Sequence, residues 1–194
     1  MGMDKKQIIQ QVALKVFVRK GFINTPVRDI IDESGLGTST FYRHFKNKED
    51  VLRSLLNEFL NEILLSINNY YKTEEDYKKR FVETKKIVID VFIKNQGLAE
   101  LYVKSVGLGG EIEKCIKEFD DKFTESSMKN ISFGIKNGIF NNLQPAPIAH
   151  AILGIIKYSI YRWIVLKDIN EKQLYNIIIS FHESFGIGLF NEKQ

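Results

Sequence analysis

Pro26 to Lys48, PVRDIIDESGLGTSTFYRHFKNK, is the stretch that leaves this 194-residue chain the fewest choices. Val27, Ile30 and Ile31 recur at the 3.6-residue period of a helix and share one face. Ser34-Gly35 ends that helix, because glycine takes the left-handed C-terminal conformation without a Cβ penalty. Leu36 plugs the turn. Thr38 to Phe45 is then a second helix, and Phe41 and Phe45, four apart, face one core. Burying those rings turns Thr38, Ser39, Thr40, Tyr42, Arg43 and His44 to the other sides, with Lys46 and Lys48 just beyond. Short donors on a helix that fits a major groove, flanked by cations for phosphates, make a DNA-reading element.

The run VRDIIDESGLGTSTFYRHFKNKEDVL resembles the N-terminal helix-turn-helix of TetR/AcrR-family transcriptional regulators. The V-R-D-I run, the G-L-G turn, T-F-Y-R-H-F and the following N-K-E carry the likeness, which spans about residues 4–67. Beyond them only length and helical character match. Family members often carry a long donor such as Lys where this chain has Thr38, so base readout here rests on shorter hydroxyl contacts. The resemblance implies an all-α fold. A three-helix head would occupy residues 1–47, and a ligand-binding and dimerisation domain residues 48–194, with helix 48–67 joining them. It also implies two heads in successive major grooves, roughly 34 to 36 Å apart. Tyr42, His44, Lys46 and Lys48 are then expected on phosphates, and Thr38, Ser39, Thr40 and Arg43 at base edges.

Composition agrees with a helical chain. Three Pro and 27% charged residues distribute over a Leu/Ile-rich pattern, and 44% hydrophobic residues are ordinary for a globular protein. The net charge is +4, and residues 1–50 hold nine Lys/Arg against six Asp/Glu, a surplus expected of a DNA-binding head. The single Cys115 has no intramolecular partner and reads as a small buried apolar residue. The first residues lack the apolar run of a signal peptide, and charges interrupt the apolar stretches before the ~20 residues of a membrane span. A cytoplasmic protein is expected.

Asp4 to Gln7 has capping-box spacing, and Ile8, Ile9, Val12, Ala13, Val16 and Phe17 form an apolar stripe ending at Gly21. Thr25 before Pro26 is the expected helix cap, which would set Thr25 and Arg28 against a phosphate. Asn47 caps the next helix, whose apolar stripe runs from Val51 to Ile67 over ~30 Å. Its apolar far half must enter a second core, so it links head to body mechanically. Tyr77–Ile93, Leu98–Val106 and Glu111–Asn137 follow as helices, with Gly97 as an interruption, Gly107 to Gly110 as a turn, and a loop through Pro145 and Pro147.

Ile148–Leu166 and Glu171–Phe190 are apolar on more than one face, more than one internal core absorbs. The resemblance implies a homodimer through these two helices, and Ile148, Ile152, Ile155, Leu174, Ile178, Phe181 and Phe185 are the expected interface. Gly154, Gly186 and Gly188 would allow close backbone approach. The family's release of DNA on effector binding implies a cavity in the body. Phe59, Phe92, Tyr102, Phe119, Phe123, Tyr158 and Trp163 are the aromatic candidates, with Arg162 beside Tyr158 as a polar handle. No cofactor or metal is expected: His44, His150 and His182 stand at no metal-ligand spacing, and His150 and His182 read as interface or surface residues. No phosphate loop or nucleophile motif occurs, so an enzyme has no constellation behind it. The reading is therefore a repressor released by a small apolar or amphipathic effector. The alternative is a helical protein-interaction module whose basic head does not bind DNA.

Overall fold

The computed structural model describes residues 4–190, apart from the side chains of residues 78, 186, 187 and 189. The helices are α1 (Lys5–Lys20), α2 (Val27–Ser34), α3 (Thr38–His44), α4 (Lys48–Tyr71), α5 (Tyr77–Lys94), α6 (Gln96–Lys104), α7 (Gly110–Lys136), α8 (Pro145–Tyr161) and α9 (Glu171–Leu189). A π-helical turn, Arg162–Leu166, extends α8. Among the described residues there is no sheet, only one isolated bridge between Phe140 and Phe190. The fold is all-α, as the periodicity predicts.

Two compact units form. One holds the residues up to Phe59 together with Asn95–Phe119, and the other Leu60–Lys94 with the residues from Asp120 onward. The expected division at residue 47 thus differs from the packing, which gives the first unit the start of α4, all of α6 and the start of α7. α4 and α7 are long enough to contribute to both units.

In the first unit α1 packs on α2, α3 and α6 through Ile9, Ala13, Val16 and Phe17, all buried. Gln10 is buried as well, and its amide donates to Ser54 Oγ (3.3 Å) and Glu58 Oε1 (2.7 Å) on α4. Gly97 lies inside the first turn of α6 rather than interrupting the chain; a Cβ there would stand 3.6 Å from Val18. Phe59, Tyr102 and Phe119 form an aromatic stack, with Phe119 centred 5.8 Å from Phe59 and 4.8 Å from Tyr102. Cys115 is buried and donates to the Glu49 carbonyl.

In the second unit α9 packs on α5 and α8. Pro145 is the first residue of α8, where a missing amide costs nothing, so the expected proline loop is a helix start. Pro145–Leu166, 22 residues at a hydropathy of 1.2, is by length and composition apolar enough to cross a membrane, unlike the sequence expectation. Here its Ile148, Ala149, Ile152, Leu153, Ile156 and Ile160 are buried within the unit. Within the unit a Cβ at Gly134 would lie 2.2 Å from the Phe140 ring. Gly154 and Gly188 meet nothing within 4 Å, and Gly186 lies outside the described side chains.

Candidate nucleic-acid interface and effector cavity

α2 ends at Gly35, whose φ of 65° is left-handed. Ser34 reinforces the turn: its hydroxyl donates to the Ile31 carbonyl (2.8 Å) and accepts from the Leu36 amide (3.2 Å). Phe41 and Phe45 are buried beneath α3, their centroids 6.1 Å apart. Burying two such rings stabilises the head by about 3–6 kcal/mol, and it fixes which side of α3 faces water. Thr38, Ser39, Tyr42 and Arg43 are exposed, and Thr40 and His44 half-buried. Lys46 is exposed, and so is Arg28, which pairs with Asp32 one turn on (3.5 Å).

Two of the expected phosphate contacts are corrected. Thr25 is fully buried and its hydroxyl donates to the Gly21 carbonyl (2.8 Å), so it faces no phosphate. Nor does it cap α2, whose cap is Pro26. Lys48 points inward. Its ammonium donates to the carbonyls of Phe22 (2.8 Å), Ile23 (3.1 Å) and Thr25 (2.9 Å), and sits 4.7 Å from the Phe22 ring centre. Three acceptors engage its three protons, so Lys48 clamps the α1–α2 turn to the start of α4. A lone Lys after a helix-turn-helix gives no sequence sign of which way it points.

The second unit encloses a cavity of about 290 Å³ between α4, α5, α7 and α8. Leu64, Phe81, Val88, Phe123, Ile131 and Phe140 supply apolar walls, and Tyr71, Arg80, Thr84, Lys85, Ser126 and Asn130 the polar ones. Of the eight expected pocket residues only Phe123 lines it. Phe59, Tyr102 and Phe119 are the stack of the first unit; Phe92 is buried core. Tyr158 is exposed, Arg162 is salt-bridged to Asp168 (3.1 Å), and Trp163 lies half-buried on the π-helical turn. Helical spacing marks a buried face but not whether that face fills space or walls it.

Polar groups around the cavity are unequally satisfied. The Arg80 guanidinium lies between the Tyr71 and Tyr77 rings and donates to the Tyr71 carbonyl (2.8 Å) and to that of Glu74. Among the described residues Lys85 donates to Thr84 Oγ1 alone (3.2 Å), 4.6 Å from the Phe81 ring centre, and burial pulls its ammonium down to about 8. His182, expected at an interface or surface, is fully buried within the chain against Phe81. Its Nδ1 donates to the Ile178 carbonyl (2.6 Å), its Nε2 has no partner, and burial first, then Lys85, hold it down to about 4.

The expected interface also needs correction. Ile148, Ile152, Leu174 and Ile178 are turned into the chain's own core and are buried there, while Ile155, Phe181 and Phe185 stay half-buried. On these helices the outward positions include the small residues Ala151, Gly154, Ser180, Ser184 and Gly188, with Tyr158 and the charged Glu171, Lys172 and Glu183. His150 is exposed, its Nδ1 at 2.8 Å from the Ala146 carbonyl.

A tight turn between two short helices, with a polar exposed face on the second held over a buried ring pair, defines a helix-turn-helix regulator. Residues 9–55 match the model of the bacterial regulatory proteins of the tetR family. A crystal structure of a protein from Syntrophomonas wolfei assigned to the TetR family is 42% identical, covers 97% of this chain and 98% of that one, and superposes with a TM-score of 0.94. The chain belongs to the TetR family of transcriptional regulators. The transcriptional repressor KstR2 of Rhodococcus jostii is 24% identical over 176 residues, 87% of this chain and 86% of the relative. The fold is also that of the regulator FadR of Bacillus subtilis, solved with stearoyl-CoA: 21% identical, 91% and 96% covered, TM-score 0.79. Against two further curated relatives the chain spans 61% and 24% of their own length.

Proposed function

We propose that this chain is a cytoplasmic, homodimeric repressor, released from its operator when a small apolar or amphipathic effector fills the second unit's cavity. The observation carrying the reading is the polar face of α3, exposed while Phe41 and Phe45 anchor it from below. Thr38, Ser39, Thr40 and Arg43 are suited to base edges, and Tyr42, His44, Lys46 and Arg28 to phosphates that set register. The cavity supports effector binding, and the stearoyl-CoA bound to FadR and the repressor role of KstR2 agree with this reading. Ile155, Phe181 and Phe185, with the small residues Ala151, Gly154 and Gly188, offer a face for a second copy. α4 and α7 each contribute to both units, so an effector with unequal affinity for two settings of these helices would change head spacing.

The test starts with duplex selected from random sequence by the full chain. The selected duplexes should share an inverted repeat, and binding should weaken linearly in log–log form as salt rises. Selection that enriches no sequence overturns the assignment.

A further inference from the structure

The cavity combines an apolar lining with two cations, Arg80 and Lys85. Lys85 projects from α5 into it, and none of the lining residues is Asp or Glu. Among the described residues the neighbouring elements supply no countercharge either. From α4 comes Tyr71, whose hydroxyl burial pushes above the usual range; from α5 come Tyr77 and Arg80; from α9 comes His182, held neutral. α7 and α8 present only Ser126, Ser127, Asn130 and apolar groups. Arg80 is fixed by two carbonyls and lies between the Tyr71 and Tyr77 rings, whereas Lys85 has one neutral hydroxyl partner and two N–H groups left over, so Lys85 is the more available lining cation. A half-buried ammonium whose one partner is a neutral hydroxyl is poorly compensated, and stability alone gives little reason to keep one. With Arg80 held by carbonyls and rings, Lys85 is left to receive one negative charge.

We propose that the cavity binds a medium-sized apolar monocarboxylic acid, its carboxylate on the Lys85 ammonium and its hydrocarbon against Phe81, Phe123, Val88 and Ile131. The inference rests on reading this cavity as the effector site. At roughly 30 Å³ for each non-hydrogen atom, 290 Å³ holds a ligand of about ten such atoms. The head group then replaces the lost water around the ammonium, and the tail fills space that is otherwise void.

The full-length protein is titrated by calorimetry with the straight-chain acids from hexanoate to dodecanoate and with the matching 1-alkanols, near pH 7. The best-fitting acid should bind at least tenfold tighter than its alcohol. Lys85→Met should erase that preference and leave the alcohol's affinity within about twofold. It should also melt no lower than wild type, since an unpaired charge has been removed. Between pH 8 and 10 the acid's affinity should fall, by at most tenfold per unit and in total by about its preference over the alcohol, while the alcohol's stays level. The sign follows from Lys85: the free ammonium loses its proton above about 8, and a bound carboxylate raises that value, so binding is full below 8 and lost above it. Equal affinity for acid and alcohol, no acid binding at any length, or an undiminished preference in Lys85→Met overturns the proposal. An acid that binds through Lys85 but leaves duplex affinity unchanged upholds the acid site and overturns the effector role.

Discussion

Phenylalanines do opposite work in the two units. Beneath α3, Phe41 and Phe45 fill space and so decide which residues meet water. Around the second unit's cavity, Phe81, Phe123 and Phe140 wall space that stays open. The same side chain is a prop in one place and a container in the other. The difference lies in what stands opposite the ring. In the head the two rings face each other from four positions apart; in the body four helices spread over residues 64–152 must meet before a void exists.

Truncating a prop and truncating a wall should therefore cost different amounts. Phe41→Ala should lose about 3–5 kcal/mol, because it opens a new cavity in a filled core. Phe123→Ala should lose about 1–2 kcal/mol less, since one side of that ring already lacks partner atoms. Equal losses in thermal melts of the two variants would erase the contrast. Gly134→Ala should cost about 1–2 kcal/mol despite alanine's better helix propensity, because its Cβ would meet Phe140 at 2.2 Å. Combining it with Phe140→Ala should recover that increment; no recovery would locate the strain elsewhere.

Lys48→Met should cost about 1–2 kcal/mol by releasing three carbonyls of the α1–α2 turn. The log–log salt slope of duplex binding should change by less than one phosphate's worth, which separates a clamp from a phosphate contact. The smallest effect is expected at Tyr158. Its ring is exposed, so Tyr158→Ala should leave cavity-ligand affinity unchanged in calorimetry. A tenfold loss would bring it back as a wall residue.

The head was legible because its information is local. Gly35, Leu36, Phe41 and Phe45 lie within eleven positions, and each specifies its neighbour's environment. The α8–α9 pair was legible as apolar, but not as to which apolar residues its own unit consumes: Leu174 and Ile178 went inward, leaving Ile155 and Phe181 half-buried. The cavity was nearly illegible. Phe59 and Phe119 carry the same helical signal as Phe123, yet they stack on each other in the first unit. Lys48 and Thr25 failed for a related reason. Which way a lysine stem runs, or a threonine hydroxyl turns, depends on carbonyls that become available only once α1 and α2 are folded.

The central claim is that the exposed side of α3 meets a nucleic-acid duplex. Fluorescence anisotropy of a selected duplex, titrated with wild type and with the Ser39→Ala, Tyr42→Ala, Arg43→Ala triple variant, tests it most directly. All three side chains are exposed, so the melting temperature should be unchanged while affinity falls by at least tenfold. Undiminished affinity in a variant that melts like wild type would contradict the account.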